Sequence, residues 1–292
     1  MSELLLQAGT WDQVTPESAG WRHLAFGVRS GSFESQTGEF EIALVPLSGR
    51  FRIESDGASW ELGGRENVFA GLPWALYLPR DSAYRVEGTG EIAVCGARCE
   101  RRRDPVLVEP EEVEIEVRGS GNATRQINHL LKPEFPAERL LVVEVLTPSG
   151  NWSSYPPHKH DVHRAGQDGG LLEADLEEVY LYKMREPGGH ALQRIYTDHG
   201  TGDGALDVTV TARDGDIVLV PYGYHPVSAP YGYDCYYINF LAGSAQSLAC
   251  ADDPEHAWIK STWTTTDPRI PMVTHEMERV AAATGAGREL AR

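Results

Sequence analysis

Gly150-Asn-Trp-Ser-Ser-Tyr-Pro-Pro-His-Lys-His160 is the stretch on which the reading of this chain turns. Residues two apart on a β-strand share a face, so His158 and His160 present two imidazoles side by side. Glu178 follows in the apolar run Leu176-Glu-Glu-Val-Tyr-Leu-Tyr182, and His225 ends the phrase Gly215-Asp-Ile-Val-Leu-Val-Pro-Tyr-Gly-Tyr-His225. Glycine and proline fix tight turns between such strands, and so fix where His225 lands. Three imidazoles and one carboxylate, with positions left open for a ligand, suit Zn, Mn, Fe or Ni. A His-x-His pair alone means little in a chain with 10 histidines; the pair, the strand-borne Glu and the Gly-x5-Pro-x-Gly-x-His phrase together are specific.

Two competitors flank this set. Glu177 lies on the opposite strand face from positions 178, 180 and 182. Glu178 is preferred because Glu-Val-Tyr opens the apolar strand. His163 sits in the polar insert Asp161-Val-His-Arg-Ala-Gly-Gln-Asp-Gly-Gly170, where a solvated loop histidine is the simpler reading.

Outward from the histidines the chain reads as all-β. Phe40-Glu-Ile-Ala-Leu-Val45, Phe51-Arg-Ile-Glu54, Trp74-Ala-Leu-Tyr-Leu78, Leu140-Leu-Val-Val-Glu-Val-Leu146 and Tyr233-Asp-Cys-Tyr-Tyr-Ile-Asn-Phe-Leu241 are short and separated by Gly, Pro, Asp and Ser. Many such strands indicate barrels or sandwiches. Residues 1–20 read as a polar leader with a turn at Thr15-Pro-Glu-Ser18. Only Thr274 to Arg292 looks helical. The charged join after Arg101-Arg-Arg103 sets the domain boundary, giving 1–108 and 109–292. The halves read as degenerate repeats. Glu41-Ile-Ala-Leu-Val-Pro-Leu47 is similar to Glu178-Val-Tyr-Leu-Tyr-Lys-Met184. If Pro79 aligns with Pro221, Ala83 stands where His225 does. No His-x-His precedes residue 158, so the first barrel is expected to lack a metal.

The 292 residues include 41% hydrophobic residues, enough for a sizeable core. The formal net charge of −17 argues against nucleic acid or an anionic membrane as partner. It leaves room for a small anion, because a few local cations outweigh the global field at a site. No apolar run approaches the roughly 18 residues of a membrane span. Met-Ser-Glu-Leu-Leu-Leu-Gln7 lacks the basic and apolar regions of a secretory signal. Cys95, Cys99, Cys235 and Cys250 are scattered and read as reduced thiols, so a cytoplasmic protein is expected.

The stretch 150–161, together with Leu176-Glu-Glu-Val-Tyr180, Gln193-Arg-Ile-Tyr-Thr-Asp198, Asp214 to Pro226, Asp252-Asp-Pro-Glu-His-Ala-Trp258 and Arg118 to Ile127, resembles the bicupin family of uronate isomerases. Within it the likeness is to the 5-deoxy-glucuronate isomerases of myo-inositol breakdown, and it is strongest from 118 to 270. Glu178 stands eighteen positions after His160, where cupins usually leave a few, and Pro221-Tyr-Gly-Tyr-His225 is one residue short of the usual cupin phrase.

The resemblance implies two double-stranded β-helix (jelly-roll) barrels, one divalent metal held by His158, His160, Glu178 and His225, with zinc first, and a small anionic sugar-acid substrate. It implies an aldose–ketose isomerisation through a metal-stabilised enediolate, converting 5-deoxy-D-glucuronate to 5-dehydro-2-deoxy-D-gluconate. A proton carrier is needed. Glu178, Tyr182 and Tyr236 are the candidates, with His163 beside them. For the substrate carboxylate, Arg194 is the first choice, if it pairs with Tyr182 across a hairpin at Pro187-Gly-Gly189; Arg125 and Lys183 are the others. Rival readings are an isomerase of 5-dehydro-4-deoxy-D-glucuronate, a cupin Fe(II) oxygenase and a non-catalytic sugar-binding cupin. A homo-oligomer stays open.

Overall fold

Alternation decides the outer strands. Arg50–Ser55 buries Phe51, Ile53 and Ser55 and exposes Arg50, Arg52 and Glu54, as a strand with one wet face must. Cys235–Gly243 is buried at all nine positions, so it has protein on both faces. The computed structural model, which describes residues 4–198 and 205–277, explains the contrast by its layers.

In the first half a six-stranded antiparallel sheet runs in the order Val106–Val108, Ala75–Leu78, Phe40–Pro46, Glu91–Arg98, Leu24–Ser30, Gln13–Val14. A four-stranded sheet of Phe33–Gln36, Ala83–Thr89, Arg50–Ser55 and Ala58–Gly63 closes over it. Ile42, Leu44, Phe51, Ile53, Leu78 and Val86 fill the space between. The second half repeats the plan. Its large sheet carries Ile217–Val220, Leu171–Met184, Cys235–Gly243, Leu141–Thr147, Arg125–Leu131 and Glu114–Arg118. The facing sheet is Trp152–Ser153, Val227–Ser228, His190–Tyr196 and Asp207–Arg213.

The two large sheets pack back to back. Phe26, Ala43, Val45 and Tyr77 of the first half share one core with Val142, Val179, Tyr236 and Phe240 of the second, and the Phe26 and Phe240 rings lie 5.3 Å apart. Two carboxylates pin this contact reciprocally. Glu41 accepts the backbone N–H groups of Glu138, Arg139 and Leu140 at 2.7–2.8 Å, and the Tyr77 hydroxyl at 2.8 Å. Glu177 accepts those of Arg22, His23 and Leu24. Each half thus caps the loop that feeds a central strand of the other. A buried ion pair crosses the same contact: Arg65 binds Glu144 at 2.7 Å, and both are buried.

Three sequence expectations change. Residues 1–20 are more than a leader, because Leu5 and Leu6 pair with Val218 and Ile217 and give the second half its edge strand. The ladder therefore crosses the expected boundary at 108/109. The repeat alignment shifts by one: Ile42 pairs with Leu78 as Glu178 pairs with Val220, so Ile42, and not Glu41, is the counterpart of Glu178. The same register puts Pro79 opposite Pro221 in the alignment. Of the helix read into Thr274 to Arg292, residues 278–292 lie outside the described residues.

Glu41→Ala leaves three backbone donors and a buried tyrosine hydroxyl without an acceptor. A loss of about 3 kcal/mol or more is expected, since bonds to a charged group contribute about 1.5–3 kcal/mol each and unmet buried donors cost as much. Glu177→Ala, at a less buried position, costs less. Denaturant midpoints of the two variants check the order; equal stability with the parent chain sinks the role given to Glu41.

Candidate metal centre

The strand Leu171–Met184 puts Glu178, Tyr180 and Tyr182 on its barrel face, and Glu177 on the face toward the first half. Strand phase thus turns Glu178, and not Glu177, toward the histidines. Glu178 is buried, and Asn239 Nδ2 donates to its Oε1 at 2.8 Å. Its Oε2 lies 2.9 Å from His160 Nε2 and 3.2 Å from His225 Nε2.

Both imidazoles are oriented from behind. His160 Nδ1 meets the Leu176 carbonyl at 3.1 Å, and His225 Nδ1 meets the Gly223 carbonyl at 2.8 Å. A carbonyl only accepts, so each Nδ1 donates, and a neutral ring then turns the lone pair of Nε2 inward. Gly223 makes this possible. Its φ is +94°, and a Cβ there would stand 2.6 Å from the Tyr196 carbonyl oxygen.

Ligand atoms of His160, Glu178 and His225 all fall within 4.8 Å of one another. His225 Nε2 is near Glu178 but out of line for a hydrogen bond, so it is a buried nitrogen without a partner. Two inward lone pairs facing one carboxylate oxygen repel unless a cation lies among them. This donor set, with each imidazole fixed through its other nitrogen, fits a divalent metal. At His160, burial works against a charge on the ring, but the Glu178 carboxylate prevails and raises its pKa. For Glu178, burial pushes upward, and His225 with His160 pull the carboxyl well below its usual range.

His158 stands beside this group. Its ring centroid is 4.9 Å from that of His225, edge-on. Burial, then the neighbouring imidazoles, hold its pKa well below the usual value, which keeps the ring neutral. The strand His158–Lys159 is held by Ala251–Asp252, and Asp253 takes the Tyr196 hydroxyl at 2.5 Å. The Asp252-to-Trp258 motif therefore braces the His-x-His segment.

A cavity of about 90 Å³ opens over the cluster. Arg125, Ile127 and His129 from one strand, Val143 and Val145 from the next, and Tyr180, Tyr237 and Asn239 are among its lining. Several expected residues are elsewhere. Tyr182 shares the barrel face of Glu178, but it lies further along the strand, and its hydroxyl donates to Gln193 at 2.8 Å. Tyr236 points between the barrels and donates to Glu144 at 2.6 Å; its neighbour Tyr237 faces the cavity. His163 is exposed, with its Nδ1 2.8 Å from the Ser244 hydroxyl. Lys183 is bound to Glu91 at 2.9 Å.

Arg194 faces away from the cluster. The hairpin pairing it needed does not form, because His190–Tyr196 crosses to the facing sheet and pairs with Asp207–Arg213. There Gln193 turns inward and Arg194 outward, bound by both side-chain nitrogens to Asp207 at 2.8 Å and stacked on Tyr196. The inward residue is Arg125, an alternative the sequence offered: Arg125, Ile127 and His129 alternate on one strand face that lines the cavity.

Comparisons with known proteins bear on these features together. A chain from Salmonella typhimurium LT2 described as an IolB-like protein superposes with a TM-score of 0.81, at 34% identity, covering 88% of this chain and 99% of that one. Oxalate decarboxylase of Lactobacillus farciminis matches in fold alone, with a TM-score of 0.57 at 10% identity over 83% of this chain and 87% of that one. The 5-deoxy-glucuronate isomerase of Geobacillus thermodenitrificans is 41% identical over 261 residues, covering 87% of this chain and 92% of the relative. The model of the KduI/IolB family matches residues 5–259, a span that takes in both barrels and His158, His160, Glu178 and His225, and the chain belongs to that family.

Proposed function

We propose that this chain is a metal-dependent aldose–ketose isomerase that converts 5-deoxy-D-glucuronate to 5-dehydro-2-deoxy-D-gluconate in myo-inositol degradation. The observation that carries the reading is the buried His160–Glu178–His225 group, set in a cavity within a chain whose close relatives are named for that activity. His158, His160, Glu178 and His225 hold one divalent ion, with zinc first and Mn, Fe or Ni as the other fits of this donor set. When bound, that ion supplies Lewis acidity to the substrate's carbonyl and neighbouring hydroxyl oxygens.

The chain's own groups do the rest. Asn239 holds Glu178 so that one oxygen faces the two imidazoles. Ile127, Val143 and Val145 give the cavity a dry wall, which strengthens each electrostatic contact inside it. Tyr180 and Tyr237 line the cavity in place of Tyr182 and Tyr236. Burial above all raises the pKa of both hydroxyls, to about 12 for Tyr237 and well above the usual value for Tyr180. They stay protonated at neutral pH, with the Tyr237 hydroxyl donating to Ser153 at 2.9 Å, while Glu178 remains the anion. Work on a free sugar acid of this kind belongs in the cytoplasm.

Metal analysis of purified protein, with an assay on 5-deoxy-D-glucuronate, tests the reading. Stoichiometric metal and ketose formation are expected. Turnover of 5-dehydro-4-deoxy-D-glucuronate alone, or consumption of oxygen, overturns it.

His160→Ala removes one ligand and abolishes isomerisation, while circular dichroism and the unfolding midpoint stay near those of the parent; a fully active variant refutes the ligand set. Gly223→Ala drives a Cβ against the Tyr196 carbonyl and displaces His225. Lower metal content in a folded protein is the expected outcome. Full metal occupancy in this variant rules out a tight coupling of that turn to the site.

A further inference from the structure

Arg125 is a charged group left uncompensated in the interior. Its side chain is 4% exposed. Its hydrogen bonds run from one terminal nitrogen to two carbonyl oxygens, Tyr155 at 2.9 Å and Ala123 at 3.2 Å. Among the described residues no carboxylate forms an ion pair with it. The same chain treats its other deeply buried arginine differently: Arg65 meets Glu144 through two nitrogens, at 2.7 and 3.3 Å, besides the Pro46 carbonyl. Arg118, across the ladder from Arg125 and also lining the cavity, is bound to Glu116 at 2.6 and 2.8 Å. His129 is held by the same Glu116 at 2.9 Å. Arg125 is thus the cavity-lining cation without an acid of its own. Burial in a dry wall lowers its pKa to about 10, in line with a charge that lacks a counter-ion.

The geometry points to Arg125 as the carboxylate-binding residue of this cavity, fixing a sugar acid with its carboxylate at the guanidinium and its carbonyl end toward His158, His160, Glu178 and His225. This rests on the uronate-isomerase reading of the site. A guanidinium offers five N–H donors in a rigid fork, and the two bonds to Ala123 and Tyr155 engage a single terminal nitrogen. The rest of the fork is left to grip a carboxylate by two parallel bonds. The anchoring carbonyl matters too. Tyr155 lies three residues before His158, so one short segment steadies both ends of the ligand site. Ile127, Val143 and Val145 add apolar wall to the same cavity. Discrimination for an acid over a neutral sugar follows, because a neutral group would leave the buried cation unmatched.

The test compares the metal-loaded parent protein with Arg125→Lys and Arg125→Met. The preference in kcat/KM for 5-deoxy-D-glucuronate over the neutral aldose 5-deoxy-D-glucose is expected to fall about 30-fold in Arg125→Met, through KM more than kcat, as a handle gripped in ground and transition state alike requires. Arg125→Lys, which keeps the charge and loses the fork, recovers part of it. An unchanged preference overturns the assignment, as does an equal loss on both sugars with loss of metal, which would make Arg125 a brace for the His158 segment. Calorimetric binding of D-glucuronate against D-glucose gives an answer independent of turnover. The parent binds the acid more tightly, and Arg125→Met erases the difference. If the parent binds glucuronate in this manner yet isomerises neither deoxy sugar, the proposed reaction fails and the anion site stands. If both variants bind glucuronate as the parent does, the anion site fails whatever the activity.

Discussion

Each barrel holds the other by a single carboxylate set against three backbone N–H groups. Glu41 and Glu177 are counterparts: Glu41 pairs with Ala97 as Glu177 pairs with Ala242, and the capped loops lead to Leu24 and Leu140. A carboxylate has four acceptor positions and no donor, so it suits a turn of unpaired N–H groups better than a neutral side chain does. The exchange fixes the angle at which the large sheets meet, and hence the shared core between Phe26 and Phe240. It also fixes strand phase. With Glu177 bound outward to the first half, Glu178 has one direction left, which is into its own barrel.

The two barrels diverge at the matching positions. Where the second has Glu178, Val220 and His225, the first has Ile42, Leu78 and Ala83. Ile42 and Leu78 are packed among Leu44, Phe51, Ile53 and Val86. Apolar side chains take those positions; in the second barrel polar groups line a cavity there, and they require partners. One barrel supplies a rigid back, and the other carries the polar site that a rigid back allows.

The histidines, Glu178 and the glycine turn were legible because each breaks an apolar run at a position with few structural uses. The tyrosines were not. Cys235–Gly243 is buried on both faces, so hydropathy gives no clue that Tyr237 faces the cavity and Tyr236 the other barrel. Arg194 failed for another reason. A turn at Pro187-Gly-Gly189 suggests a hairpin within one sheet, but in a double-stranded β-helix successive strands pass to opposite sheets. The role of Glu41 was hidden because its partners are backbone groups far along the chain, and backbone groups leave no mark in a sequence.

Charge counting ties these features to the choice of substrate. Glu178 contributes one negative charge at the ligand cluster, and Arg125 one positive charge in the lining of the same cavity. A divalent ion on the cluster leaves net charges of one positive unit at each end. On the proposed reading a uronate would bring one carboxylate for Arg125 to match, and the positive end at the histidines would stay uncommitted. The same reading would put that remaining charge where the carbonyl oxygen of an isomerising sugar gains negative charge. In a chain with a formal net charge of −17, such local cations would do what the global field cannot, which is to hold an anion and keep one positive charge for the reaction.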